Sequence, residues 1–376
     1  MFKFEFDVED ESVEEKQAIA PVVSDSTPDD CLFQEHTLEE MIQTLPDDIS
    51  YSSVRVGTHI IPRRDLFDVR LHLMAAETQD ESSKQTKEDQ AAIEFASRPS
   101  DLVPRVYEGG MKTWECSLDL AGYIIGENVR GKRVLELGCG TGMPSLAILQ
   151  NILNEAPNKD GDTIVFHLQD YNSSVLEYVT LPNIILVWFF SKAGEAYRTT
   201  IPPPSPKPSS KSKLPDVSNL TLESVPEEDE EEANETPKGL QKSYDPHAFQ
   251  MTEPGDLAFT PALRSAFLDA LAAHHIRIRF FSGPWDGFFP EAPYDLVLTS
   301  ETIYQPTSLP SLVRLLRDAT GPNGRCLVAA KMVYFGVGGG IREFEQELKR
   351  GGGSARCVWE QREGVGRSIM QVLYHQ

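Results

Sequence analysis

A glycine-punctuated turn between an apolar strand and an apolar helix limits this chain more than any other feature of it. KRVLEL (132–137) reads as a short buried strand and MPSLAILQNIL (143–153) as an apolar helix, with Gly138, Gly140 and Gly142 between them in VLELGCGTGMPS. Glycines free the turn to pass close beneath a ligand, and the helix N-terminus that follows offers unpaired N–H groups to it. The turn predicts an open α/β sheet with a binding site at its carboxyl edge.

The rest of the sequence is consistent with that sheet. TIVFHL (163–168) predicts a second strand, followed by a helix around Ser173 to Val179. Later come a helix at 262–273, then IRIRFF (276–281), YDLVLT (294–299), a helix over Leu309 to Arg317, and RCLVAAK (325–331). A helix from about Ile341 to Arg350 leads to ARCVWEQ (355–361) and SIMQVLY (368–374), joined by REGVGR, a short glycine-containing link suited to an antiparallel hairpin. Five βα units ending in a hairpin give a Rossmann-like, seven-stranded sheet with one reversed strand. That is the class I methyltransferase architecture.

The glycine spacing is GxGxG, not GxGxxG, and Glu136 stands two residues before the first glycine. An acid there can receive the cationic amino group of a methionine moiety, whereas a dinucleotide site must accept a pyrophosphate, so S-adenosylmethionine (SAM) is favoured over NAD. At the end of the second strand, Asp170 in QDYN is positioned to accept from ribose hydroxyls, or else to cap the next helix. Gly283, Pro284 and Trp285, after the third strand, are candidates for an adenine wall, the alternative being a core tryptophan. Ahead of the first strand, Trp114, Leu118, Ala121 and Ile125 form a stripe at near-helical spacing. Thr113, Glu115 and Ser117 place polar groups at that helix start, where they could roof the methionine end of the donor. TSETIYQP (299–306) leaves the fourth strand, and Glu301 and Tyr304 would there orient an incoming nitrogen.

The chain's acidity belongs to appendages. Residues 1 to 50 carry a net −13 and residues 191 to 260 a net −6 out of a total of −23, leaving an ordinary globular surface over the rest. So acidic a chain is a poor binder of phosphate backbones, which argues against a direct nucleic-acid substrate and permits a basic protein one. Residues 7 to about 95 are expected to be largely flexible, and the methyltransferase domain to run from 96 to 376. Phe2, Phe4 and Phe6 alternate as in a strand, either an edge strand or a docking peptide. Between about 191 and 260, IPPPSPKPSSKSK and PEEDEEEANETPK predict a disordered insertion within that domain. The five cysteines form no CxxC pair, arguing against a disulfide framework and a metal site. The N-terminus lacks the pattern of a secretory signal, and the longest purely apolar run, Ile184 to Phe190, is too short to cross a bilayer. A soluble, intracellular protein is expected.

Taken together, VYEGGMKTWECSLDL, VLELGCGTGMPSL, HLQDYNSSVLEYVTLPN, FFSGPW, YDLVLTSETIY and AAKMVYFGVGGGIREF resemble the eukaryotic protein-histidine N-methyltransferases over roughly 101–190 and 276–376. The resemblance implies cofactor contacts at Thr113, Trp114, Glu115, Cys116 and Ser117, at Gly138, at Gln169, Asp170 and Tyr171, at Gly283, Pro284 and Trp285, and at Ser300. It also implies a histidine of a large-subunit ribosomal protein as substrate, methylated on Nε2, and a protein of cytoplasm and nucleus. Related lysine methyltransferases usually carry Asp in a DxxY pattern where this chain has Glu301, a departure that points away from lysine. Histidine is mostly neutral at pH 7 and needs no strong base, whereas lysine must first lose a proton. The site would instead select the tautomer protonated on Nδ1, with Glu301 or a backbone carbonyl as acceptor. The alternatives are a lysine methyltransferase of the same fold and a non-catalytic adaptor acting through its acidic segments.

Overall fold

A computed structural model describes residues 32–79, 109–157, 161–201, 251–334 and 338–374. In chain order the elements that position the site are β1 (Gln34–His36), α1 (Leu38–Gln43), β2 (Asp48–Val56), β3 (His59–Arg64) and α2 (Leu66–Gln79). After these come α3 (Glu115–Ile124), β4 (Arg133–Leu137), α4 (Met143–Asn154), β5 (Ile164–Asp170), α5 (Ser173–Phe190) and α6 (Glu195–Arg198). The chain continues through β6 (Gly255–Ala258), α7 (Pro261–Ala273), β7 (Ile276–Ser282), β8 (Tyr294–Ser300), α8 (Leu309–Ala319), β9 (Thr320–Lys331), α9 (Ile341–Arg350), β10 (Gly353–Gln361) and β11 (Arg367–Tyr374).

The strand order of the main sheet is β1-β7-β5-β4-β8-β9-β11-β10. Strands β7, β5, β4, β8 and β9 run parallel, and β11 is reversed between β9 and β10. These are the seven strands expected, in the order that brings the ends of β4 and β8 together at the switch point of the topology. Alternation along β4 divides its side chains: Val134 joins the core beneath α3, α4, α5 and α7, while Leu135 and Leu137 join the core beneath α8 and α9.

Two parts of the chain expected to be flexible are instead folded. Gln34–His36 adds an eighth strand, antiparallel to β7, with Phe33 stacked on Phe281 and Phe288 at ring-centre distances of 5.8 and 5.0 Å. Strands β2 and β3 form a hairpin, and β6, from the end of the expected insertion, pairs with β2 to complete a second sheet of three strands. The sequence signal there was diluted by polar residues facing out, whereas Ile49, Tyr51, Val56, Ile61 and Leu257 face in and are buried. The acidic and proline-rich heart of the insertion, the 80–108 stretch and Phe2, Phe4 and Phe6 lie outside the described residues.

The second sheet docks on α5. That helix contains Pro182, which cannot donate to the carbonyl of Tyr178 four residues back; Arg64 Nη1 of β3 donates to that oxygen at 2.8 Å instead. The Arg64 backbone N–H donates to Asn183 Oδ1 at 2.7 Å. The helix takes in the Ile184–Phe190 run and is, by length and composition, long and apolar enough to cross a membrane; in this fold it is a core helix, with Leu181 to Phe189 buried. Of the stripe expected on α3, Ala121 is buried and Leu118 and Ile125 pack partly buried against the core, while Trp114 is the N-cap and Cys116, Ser117, Leu120 and Ile124 complete the buried face.

Ile61 is fully buried between β2 and the main core. Ile61→Ala is expected to cost about 2–5 kcal/mol and to lower the melting temperature by several degrees, which a thermal melt followed by circular dichroism reads; an unchanged melt would mean that the small sheet is not part of the cooperative fold.

Candidate active site

The turn after β4 carries three glycines in left-handed conformations, with φ of +58° at Gly138, +51° at Gly140 and +73° at Gly142. The close approaches are as telling as the angles. A Cβ on Gly138 would lie 2.6 Å from Thr302 Cγ2, and one on Gly140 would lie 3.0 Å from the Gly110 carbonyl oxygen. The turn is thus sandwiched between the segment before α3 and the loop after β8.

Its polar groups are held from several sides. The Gly140 N–H donates to Asp170 Oδ2 at 2.8 Å, and Asp170 Oδ1 accepts from the Asn172 N–H at 3.1 Å. The Gly138 N–H donates to Gln169 Oε1 at 3.3 Å; the same oxygen accepts from Trp285 Nε1 at 2.9 Å, and Gln169 Nε2 donates to the Gly283 carbonyl at 2.9 Å. The Thr180 hydroxyl donates to the Gly140 carbonyl, and Asn183 Nδ2 to that of Thr141. Thr113 reaches the turn through Thr141, hydroxyl to hydroxyl at 3.3 Å.

Glu136 points towards α4 and is 1% exposed. Its Oε2 accepts from the Ser145 N–H at 2.9 Å and from the Ser145 hydroxyl, while Oε1 is buried with no hydrogen-bond partner. Burial pushes the carboxyl up to about 7, against the pull of the two Ser145 hydrogen bonds. A cation beside Oε1 would satisfy the orphaned oxygen and return the group to its charged form.

A second cluster gathers where β8 and β9 end. Glu301, the residue after β8, has φ +58°, an uncommon angle for a residue with a side chain. Its N–H donates to the Ala329 carbonyl at 2.9 Å. Its carboxylate lies 3.5 Å from Lys331 Nζ, and that ammonium also lies 3.4 Å from Glu115 Oε2 and 4.7 Å from the centre of the Trp114 ring. Burial first, and then the Glu301 charge, raise both the Cys116 thiol and the Tyr334 phenol well above their usual ranges. The Tyr304 and Tyr334 rings meet edge to face, with centres 6.3 Å apart.

No family model matches the chain. Histidine protein methyltransferase 1 of Schizosaccharomyces pombe is 31% identical over 363 residues, covering 93% of this chain and 87% of its own. The Saccharomyces cerevisiae protein of the same name is 30% identical over 302 residues, covering 76% of this chain and 68% of its own. The chain belongs to the histidine protein methyltransferase family. It is accordingly a SAM-dependent methyltransferase. A Bos taurus homologue is 30% identical over 294 residues, covering 74% of this chain and 58% of its own.

Within this methyltransferase the residues expected at the cofactor divide into two groups. Gly138, Gly140, Gln169, Asp170, Gly283 and Trp285 form one hydrogen-bonded group, and the Gly283 N–H is shared by the Asp170 and Tyr171 carbonyls. Pro284, between them, is half-buried. Trp114, Glu115, Cys116 and Glu301 gather instead around Lys331, while Ser300, at the end of β8, is buried. Some expected side chains are already engaged: Ser117 Oγ donates to the Trp114 carbonyl at 2.7 Å, and Asp170 accepts from backbone N–H groups on both oxygens, while the N-cap of the next helix is Asn172 and not Asp170. Lys331, Ser145, Thr302 and Gly110 were not singled out from the sequence. Lys331 had a usable signal, a charge closing the buried strand RCLVAAK.

Without donor, folded Glu136 holds a proton at pH values where the unfolded chain, near 4.5, has released it. That contribution is complete below 4.5 and is lost as pH rises through about 7. Glu136→Gln is therefore expected to match wild type near about pH 5 and to exceed it by up to roughly 3 kcal/mol near about pH 8, read from melts at the two pH values; equal offsets at both would show Glu136 ionised normally. Gly138→Arg, with a side chain driven into Thr302 and the ligand face, should leave no SAM binding detectable by calorimetry.

Proposed function

We propose that this chain methylates Nε2 of a histidine in a large-subunit ribosomal protein, acting in cytoplasm and nucleus. The family supports histidine as acceptor, and the acidic balance of the chain suits a basic protein partner. The observation that carries the acceptor assignment is Glu301: its side chain is 10% exposed, and its Oε1, buried beside the end of β8, accepts no hydrogen bond and has only the Lys331 ammonium, 3.5 Å away, as an ion-pair neighbour. An acceptor so placed holds the Nδ1–H of an imidazole and leaves the Nε2 lone pair free.

SAM, when bound, supplies an electrophilic methyl group on a sulfonium. On this reading Gly138 and Gly140 give it room, Glu136 Oε1 receives its ammonium, Asp170 and Trp285 border its ribose and adenine, and the segment from Thr113 to Ser117 covers its methionine end. The protein's remaining task is to orient a neutral nucleophile, which Glu301 does by tautomer choice and Tyr304 by bordering the acceptor. Catalysis is then mainly positioning.

Methyl transfer to histidine should rise through about pH 6 to 7 and level off near neutrality as the imidazole loses its proton. Glu301→Gln should slow transfer by at least about tenfold with SAM affinity retained. A rate still climbing above about pH 8 with Glu301 dispensable would transfer the assignment to lysine. Mass spectrometry of ribosomal proteins from cells lacking this chain tests the substrate: one large-subunit histidine should lose its methyl group, and unchanged methylation would overturn that part of the proposal.

A further inference from the structure

Lys331 closes β9 with its ammonium enclosed on three sides, by Glu301 at 3.5 Å, Glu115 at 3.4 Å and the face of Trp114 at 4.7 Å. Exposure separates the two acids. The side chains of Lys331 and Glu301 are 19% and 10% exposed, whereas that of Glu115 is 59% exposed and its field is screened by water. The enclosed charges at this end of the site are therefore one cation and one anion.

The neighbouring groups do not disturb that balance. Arg367 stands opposite Lys331 in the β9–β11 register, but its guanidinium is committed to both oxygens of Asp119 on α3, at 2.5 and 3.3 Å. Cys116 of α3 and Tyr334, after β9, are held protonated by burial and by the Glu301 charge, and the Tyr334 hydroxyl accepts from the Lys331 N–H. The cation–π contact fixes the ammonium at Trp114, away from the freely rotating position of a surface lysine.

We propose that Lys331 determines acceptor specificity: its fixed ammonium balances Glu301, so that the pocket takes a neutral imidazole and turns away a protonated amine or an imidazolium. This rests on Glu301 being the acceptor-side carboxylate, as argued above. A lone carboxylate in a half-buried pocket favours cations. Glu301 by itself would raise the pKa of a bound imidazole, tying up the lone pair that must attack, and would welcome the ammonium of lysine. With Lys331 present, either cation meets a like charge that is already paired and has nowhere to move.

The test uses the full chain at saturating SAM, with large-subunit ribosomal proteins purified from cells lacking it as substrate and mass spectrometry to identify the methylated residue. Lys331→Met should move the acid limb of the kcat–pH profile upward by about one to three units. The limb of kcat/KM, set by the free substrate, should stay in place, and methyl-lysine should appear among the products. Lys331→Arg should keep the wild-type profile. The double variant Glu301→Gln with Lys331→Met should return the limb to its wild-type position at a lower rate, since both members of the pair are then neutral. If Lys331→Met does not fold, Lys331→Gln reads the same limb. An unmoved limb in a variant that still binds SAM overturns the proposal, as does a shift that the double variant fails to reverse. Methyl-lysine in place of methyl-histidine from the wild-type chain would instead overturn the histidine reading on which the proposal stands.

Discussion

The side-chain amide of Gln169 ties together the ends of three adjacent strands. Sitting at the end of β5, it accepts from Gly138 after β4 and from Trp285 after β7, and it donates to Gly283 in the same loop. Its backbone carbonyl accepts from Cys139 as well. Four hydrogen bonds from one residue that is wholly out of contact with water set the spacing of the loops that face a ligand. A buried amide has little freedom to be half-satisfied, because an unmade hydrogen bond there costs about 1–3 kcal/mol. Replacing Gln169 by a carboxylate would withdraw the donor to Gly283, and replacing it by leucine would orphan three loop groups together. The glycine turn, with its demanding backbone angles, keeps one conformation because this network and Asp170 leave it no other.

The acceptor side is built on a different principle. There the shape follows from charges: one ammonium among two acids and an indole, with a thiol and a phenol kept neutral beside it. The cofactor side is thus held by hydrogen bonds from backbone and side-chain amides, with the Asp170 and Glu136 carboxyls as acceptors, and the acceptor side by an ion pair. That division suits a reaction in which the donor is always cationic and the acceptor must not be.

Much of this was legible in the sequence. The periodicity of β4, β5, β7, β8 and β9 is unmistakable because parallel strands covered on both faces read as unbroken apolar runs, and the glycine turn marks the ligand edge. The hairpin β2–β3 was not legible: in DISYSSVRV and HIIPRR one face is polar, two of its buried positions are charged or aromatic, and its third strand arrives from beyond residue 250. The pairing of β2 with β6 is non-local, and no window of sequence contains it. Nor could spacing tell that Glu136 would face Ser145, or that Lys331 would lie against Glu301, since each contact joins elements whose relative twist appears only once the sheet is assembled.

The short strand at Gln34–His36 has an effect that reaches beyond the site. It lies along β7, which without it would end the main sheet with a row of open peptide groups, the usual template for strand-to-strand aggregation. Its three residues pair with Phe280, Phe281 and Ser282, closing the carboxyl end of that row, and are too few to offer a new one. At the far side β10 is longer, but a bulge between Cys357 and Trp359 interrupts its pairing with β11, and Arg356 and Glu360 stand exposed along it. The two borders of the sheet are therefore blunted by different devices, one by a short antiparallel strand over its last residues and the other by irregularity and charge, which reduces the flat margin on which a neighbour could extend so much parallel sheet.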